Sequence, residues 1–289
     1  MRNSVSKLFT CKESKNREPL RSTKTLERQN NRMKQLLIST LAFSLLTLSA
    51  CGGGGGGGEE VSQAPKNPVL KSCGREGGPL KILPFGDSTT ELERGHNSYR
   101  RQLWFSLQSA GCVVDFVGSK RGVSSGSRDS AQVNARNPDF DQDHEAYWDY
   151  RADELIGKAG GSAARFLPDI ALVHAGSNDI IRGQSPESTI SDVGRIIDAM
   201  RAARPDIIIL LAKIISTPSE DGNRTRFNSQ IDGLASAKFD PASPILVVDH
   251  AAGYSLSDNY DGVHPAPSGE SKMADKWANA ILQLVASSE

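Results

Sequence analysis

Five short apolar runs, Lys81 to Phe85, Val113 to Val117, Ile170 to His174, Ile207 to Leu211 and Ile245 to Val248, restrict what most of this chain can form. Each is bounded by Gly, Pro or Asp and is too short for a helix, so each reads as a strand. A strand with one face in water alternates apolar and polar residues, whereas these runs are apolar nearly throughout and must be covered on both faces. Between and after them, Ser98 to Ser109, Ser188 to Arg204, Arg226 to Lys238 and Ser268 to Val285 read as helices. Strands alternating with helices predict a three-layer α/β/α domain around a parallel sheet of about five strands. Ligands of such sheets gather at the carboxyl ends of the strands, so the residues just after each run are the ones to inspect for chemistry. No internal repeat is present.

The segment before Leu80 has a different character. Lys34 followed by the uncharged, largely apolar run Gln35 to Ala50 reads as the n- and h-regions of an export signal with Met33 as its start, and it is too short for a mature membrane span. The run ends in Leu48-Ser49-Ala50-Cys51, which resembles the lipobox of bacterial lipoproteins, where the leader is cut before the cysteine and the thiol carries lipid. Gly52 to Gly58 is a flexible tether, and Glu59 to Lys71 continues it as a polar linker. The expected organisation is therefore a leader over 1–50, a lipidated Cys51 with tether and linker over 51–78, and one domain over 79–289, roughly 210 residues and enough for a full core.

Lys and Arg together equal Asp and Glu at 34 each, but residues 1–34 hold 10 of the bases and 3 of the acids. Beyond them 24 bases face 31 acids, a net charge of −7 with no basic stripe, which argues against nucleic acid as a partner. With Cys11 in the leader and Cys51 lipidated, Cys73 and Cys112 remain as an even pair in an oxidising setting that permits one disulfide.

Several residues at strand ends carry chemistry. Ser88, in Gly86-Asp87-Ser88, directly follows the first strand and can present its hydroxyl there; alone, such a serine is as well explained as a helix cap. His264 has Asp261 three residues before it in a loop containing Gly and Pro, so the carboxylate can fold back onto Nδ1 and orient the ring. The rival pair Asp249-His250 adjoins on a strand, where neighbouring side chains point to opposite faces. Asn178, in Gly176-Ser177-Asn178-Asp179 after the third strand, can aim a side-chain amide at a developing oxyanion or merely shape an Asx-turn. Gly118 can offer its N–H to the same oxygen or simply end strand two.

Other motifs are weaker. Gly122-Val123-Ser124-Ser125-Gly126 matches the Gly-x-Ser-x-Gly nucleophile elbow, but its polar flanks supply neither the strand nor the helix that the elbow needs. Asp139, Asp141 and Asp143 alternate as at the start of a calcium loop, yet His144 and Tyr150 stand where glycine and glutamate are required. A solvated acidic loop is the expected reading there, and no metal site is expected. His144 has no second histidine at zinc spacing and reads as structural, His174 as a satisfied core residue, and His96 carries no reading.

Taken together, Gly86-Asp87-Ser88, Gly118, Gly176-Ser177-Asn178-Asp179 and Asp261-Gly262-Val263-His264 resemble in order and spacing the four blocks of the SGNH, or GDSL-like, hydrolases. The resemblance covers the chain from about Leu80 onward and implies a flavodoxin-like fold, a Ser88, His264, Asp261 triad and an oxyanion hole of Ser88, Gly118 and Asn178. A narrower likeness is to acetyl xylan esterases of carbohydrate esterase family 3, carried by Asp115 to Ser119, Asp141 to Glu145, His174 to Asp179 and Asp261 to Pro265. The chain departs from that pattern at Ala146 to Tyr150, where a Gly, a short polar run and another Gly are usual.

The expected function is thus a serine esterase that removes O-acetyl groups from a polysaccharide or oligosaccharide, with no cofactor, as a monomer held to the membrane of the bacterial envelope, the outer one by preference, through a lipid anchor. Tyr147, Trp148 and Tyr150 stand as candidate sugar platforms. A lysophospholipase or thioesterase would need an apolar groove instead of cleft loops rich in Asp, Asn, Ser and Arg. A binding lipoprotein without turnover would have no use for the full set of triad and oxyanion residues.

Overall fold

The computed structural model describes residues 68–218 and 222–288. In chain order the elements are α1 (Pro68–Lys71), β1 (Leu80–Gly86), α2 (Ser88–Glu91), α3 (Ser98–Ser109), β2 (Val114–Phe116), β3 (Lys120–Arg121), β4 (Val123–Ser124), β5 (Gln132–Val133), β6 (Asp143–Ala146) and α4 (Ala152–Phe166). The second half adds β7 (Ile170–His174), α5 (Ser177–Ile181), α6 (Pro186–Ala203), β8 (Ile208–Lys213), α7 (Asn223–Ala237), β9 (Ile245–Asp249), a 3-10 turn (Leu256–Asp258) and α8 (Pro267–Ser287). The leader, the tether and Cys51 lie outside the described residues. Among the described residues no helix is long and apolar enough to cross a membrane.

All five expected strands form, and they pair in parallel as β2-β1-β7-β8-β9. Two further strands bring the sheet to seven. β2 pairs with the amino half of β1, Ile82 opposite Phe116, and β6 takes over beside its carboxyl end, Phe85 opposite Glu145. The sheet is therefore five strands wide, with β3 added antiparallel to β6. β6 escapes the apolar pattern because its sequence is Asp-His-Glu-Ala, whose buried His144 and Glu145 are satisfied by hydrogen bonds rather than by apolar neighbours.

Side-chain alternation divides the core into two halves. Leu80, Ile82, Ile170, Leu172, Ile208 and Leu210 face α3 and α8, packing with Leu103, Leu107, Trp277 and Ile281. Leu83, Phe85, Ala171, Val173, Ile209 and Leu211 face α4, α6 and α7. α4 is the one long helix missing from the sequence expectation. Its interior carries Gly157, Gly160 and Gly161, each of which weakens a helix by about 1 kcal/mol relative to Ala. Tertiary burial overrides that: Leu155, Ala159 and Ala163 are fully buried. Gly160 lies close enough to α6 that an added Cβ would stand 3.1 Å from the Ala199 carbonyl oxygen.

Packed structure begins earlier than Leu80, since Leu70 and Cys73 are buried in the α3/α8 half of the core. Cys73 and Cys112 are disulfide-bonded with Cα atoms 4.8 Å apart, closing a loop between residues 39 apart in sequence. On the chain-entropy account a loop of that size is stabilised by about 3 to 4 kcal/mol.

His174 and His250 are fully buried, their rings 6.1 Å apart, and among the described residues no ring nitrogen of either has a hydrogen-bond partner, the Asp87 carboxylate standing 4.0 Å from His174 Nδ1. His174 is therefore not the satisfied core residue expected from sequence. Desolvation holds the His250 pKa well below 6.5, so in the fold it stays neutral. An unfolded chain protonates this histidine as pH falls below about 6.5, so folding stability is full above that pH and drains away below it, by up to about 1.4 kcal/mol per pH unit. His250→Phe, packing against Trp277 in the same place, is expected to flatten the loss of stability between pH 6.5 and 5 by about one proton while ester hydrolysis persists. Urea unfolding at pH 7 and pH 5 measures it, and an unchanged difference between the two would refute the account.

Candidate active site

β1 ends in Gly86, and a Cβ there would lie 2.2 Å from the His174 carbonyl oxygen, so the close approach of β1 to β7 requires glycine. Asp87 follows and caps the short helix α2, its Oδ1 accepting from Thr89 N at 2.9 Å. Ser88 is thereby held at the strand end, 4% exposed.

The segment carrying Asp261 and His264 belongs to neither helix nor strand, yet it is tightly tied. Asn259 Nδ2 donates to the Ser216 and Gly262 carbonyls, both at 2.9 Å, Tyr260 N donates to His264 O, and Ala266 N donates to Asp258 O. Gly262 turns the chain with φ +91°, a left-handed value that favours glycine. Asp261 Oδ1 receives the backbone N–H groups of Val263 at 2.9 Å and His264 at 2.7 Å, and Oδ2 lies 2.7 Å from His264 Nδ1. His264 Nε2 is 2.9 Å from Ser88 Oγ. Because Nδ1 gives its proton to a carboxylate, Nε2 carries the lone pair that accepts the serine O–H. Partial burial works to raise the Asp261 pKa, but the His264 ring and the two backbone donors outweigh it and hold the carboxyl below its usual range. The serine, the imidazole and the carboxylate form one hydrogen-bonded chain, an arrangement able to activate a hydroxyl for attack.

Asn178 sits on α5, directly after β7, which neighbours β1. Its Nδ2 donates to the Tyr150 carbonyl at 2.9 Å, which fixes the amide and leaves its second N–H available. Next to it the buried Asp179 accepts from Ala152 N with both oxygens, tying α5 to the start of α4. Burial pushes the Asp179 carboxyl up to about 6 despite those bonds. Gly118 follows β2, and a Cβ on it would stand 2.1 Å from the carbonyl carbon and oxygen of His144. Its lack of a side chain is thus demanded by packing, and its N–H has no acceptor among the described residues.

The competing motifs do not assemble. Asp249 is exposed and lies 3.8 Å from Lys213, while His250 turns inward, so the two make no dyad. Ser124 stands in the β4/β5 hairpin with no helix leaving it. Asp139 is engaged by Arg101, Asp143 by Arg121, and Asp141 by backbone N–H groups of Phe116 and Asp143. His144 accepts from Ala146 N on Nδ1 and meets Gln132 through Nε2. Of the three candidate platforms, Tyr147 is buried between the Lys120 and Lys158 ammonium groups, and Tyr150 carries the Arg128 guanidinium on its ring. Only Trp148 reaches the site, stacked on His264 at 4.5 Å between ring centroids. Sequence reasoning missed Tyr260, 5.9 Å from the His264 ring, and His96, 4.0 Å from Tyr260. Tyr260 adjoined a known candidate and could have been suspected, whereas nothing in the sequence ties His96 to it.

The model of the GDSL-like lipase/acylhydrolase family matches residues 85–272. A multidomain esterase from Ruminococcus flavefaciens is 26% identical over 244 residues, covering 76% of this chain and 30% of that protein. The chain therefore spans less than a third of that relative's length. Among solved structures, a serine-to-alanine mutant of an acetyl esterase with acetate ion matches with a TM-score of 0.63 and 28% identity over 73% of this chain and 100% of its own. A carbohydrate esterase family 3 protein from Talaromyces cellulolyticus matches with the same TM-score and identity over 72% and 99%.

Proposed function

Because the chain belongs to the GDSL-like lipase/acylhydrolase family, we propose that it is a serine esterase that removes O-acetyl groups from a carbohydrate. The observation that carries the reading is the unbroken contact from Ser88 through His264 to Asp261, at 2.9 and 2.7 Å. Ser88 Oγ attacks the acetyl carbonyl as His264 Nε2 takes its proton, and Asp261 holds the resulting imidazolium. The tetrahedral oxyanion rests against the N–H groups of Ser88 and Gly118 and the side-chain amide of Asn178. Collapse expels the sugar oxygen, which His264 protonates, and leaves an acetyl-Ser88 ester. Water, deprotonated by the same imidazole, then hydrolyses that ester to acetate and restores the serine.

The acetyl and carbohydrate parts of the reading rest on the acetyl esterase and the family 3 carbohydrate esterase among its structural relatives. The half-buried Trp148 beside the base adds an aromatic face of the kind that sugars stack on. Purified protein is expected to release acetate from acetylated xylan, and its kcat/KM on nitrophenyl esters is expected to fall at least tenfold from acetyl to decanoyl. Activity rising with acyl length would transfer the reading to a lipid-directed esterase, and glycan binding without hydrolysis of any ester would make the protein a binding module.

A further inference from the structure

His264 belongs to a set of four rings joined by pairwise stacks. His96 lies on Tyr260 at 4.0 Å and 19° between planes, Tyr260 on His264 at 5.9 Å and 23°, and Trp148 on His264 at 4.5 Å and 25°. The set is anchored at one end. The Tyr260 hydroxyl donates to Glu93 Oε1 at 2.7 Å, and His96 Nδ1 lies 3.9 Å from the buried carboxylate of Glu270. Trp148 comes from the loop between β6 and α4.

We propose that Trp148 and Tyr260 are positioning residues for the base, holding the His264 ring in the plane that aims Nε2 at Ser88. The need for them follows from the segment's architecture. His264 is carried by a loop, and its ring is tied only at its two nitrogens, by Asp261 and by the Ser88 hydroxyl it must deprotonate, so the ring can still rock about the axis joining them. Both rings lie within about 25° of parallel to the imidazole, Trp148 near at 4.5 Å and Tyr260 more offset at 5.9 Å, and a large tilt of the imidazole would meet their atoms. They also present π faces to the imidazolium formed during attack, which favours the charged ring. Tyr260 can do this while its own ring is held; the stack on His96 holds the ring plane, and the hydroxyl bond to Glu93 adds a second tie that a phenylalanine would forgo.

The inference rests on the triad reading given above, and its test separates the two. The full chain and its Trp148→Ala, Trp148→Phe, Tyr260→Leu and Tyr260→Phe variants are assayed on nitrophenyl acetate and for covalent inactivation by an alkyl fluorophosphonate. Misplacing the base by about 1 Å costs on the order of 100-fold, so Trp148→Ala and Tyr260→Leu are expected to lose about 10- to 100-fold in kcat with KM changed less than about threefold. Inactivation should slow in parallel. Both phenylalanine variants should recover to within about fivefold of wild type, since each keeps a ring in the set. If Trp148→Ala fails to fold, Trp148→Leu carries the same comparison. Wild-type kcat and inactivation rates in the non-aromatic variants would overturn the positioning role, as would a change confined to KM. Wild-type protein inert to every ester and to the fluorophosphonate would instead overturn the triad reading itself.

Discussion

Ser88→Ala is expected to lower kcat on acetyl esters by on the order of 10⁴- to 10⁶-fold while leaving the melting temperature within about 2 °C of wild type. The size of the loss follows from what Ser88 does: the atom that would bond to the acyl carbon is removed, and His264 is left with nothing to deprotonate but water. The stability expectation follows from its place. Ser88 Oγ bonds only to His264 among the described residues, and the cap of α2 is supplied by Asp87, which stays. Residues that act as one unit are strongly non-additive, so a Ser88→Ala/His264→Ala double variant should be no slower than the serine variant alone. Initial-rate assays of the single and double variants measure both claims. Residual kcat above about a tenth of wild type in Ser88→Ala would mean that another nucleophile does the work.

The largest expected effect on stability lies at Arg100. Its side chain is fully buried, and its guanidinium donates to the Gln142 carbonyl at 2.6 Å, the Gly122 carbonyl at 2.5 Å and the Glu91 carbonyl at 3.2 Å. Desolvation pulls its pKa down to about 10, so it remains charged at neutral pH and depends on those oxygens. Arg100→Met fills much of the same volume but withdraws the donor from three buried carbonyls, of which Gln142 keeps the Gly122 N–H at 3.1 Å, and each carbonyl left without a partner costs about 1 to 3 kcal/mol. A net loss of about 3 to 5 kcal/mol is expected, lowering the melting temperature by roughly 10 °C for a domain of this size. Lysine cannot fork to three carbonyls, so Arg100→Lys should recover little of the loss. Thermal unfolding followed by circular dichroism decides it, and a Met variant melting within about 2 °C of wild type would show that the carbonyls find other partners.

Arg100 also marks where sequence reasoning stops. In Ser98-Tyr99-Arg100-Arg101 nothing separates the arginine that is buried from the half-buried one paired with Asp139, because the difference lies in distant carbonyls. The five parallel strands were legible because continuous apolar runs have no other stable place than between two helical layers. β6 was not, since a strand made of Asp, His, Glu and Ala is defined by its partners. The triad was legible because Asp261 and His264 are three residues apart and Ser88 follows a strand. The set of rings around the base was not, because His96, Trp148 and Tyr260 come from three loops that only the tertiary fold joins. Trp148 also falls in the segment Ala146 to Tyr150, where the likeness to acetyl xylan esterases breaks down, so similarity could not have supplied its place.

The relay of β2 and β6 along one side of β1 gives the domain a built-in site of variation. The chain leaves that edge after Phe116, opposite Ile82, and returns at Glu145, opposite Phe85, so both roots of the excursion stand on a single strand three residues apart. Between them the chain first carries Gly118 and β3 and then makes the β4/β5 hairpin, whose turn between Ser124 and Gln132 is closed by its own two strands. The length and composition of that turn can change without altering the order of the parallel strands. Since closing a longer loop costs only slowly more, the turn can lengthen at little expense while Ser88, at the end of β1, stays where it is.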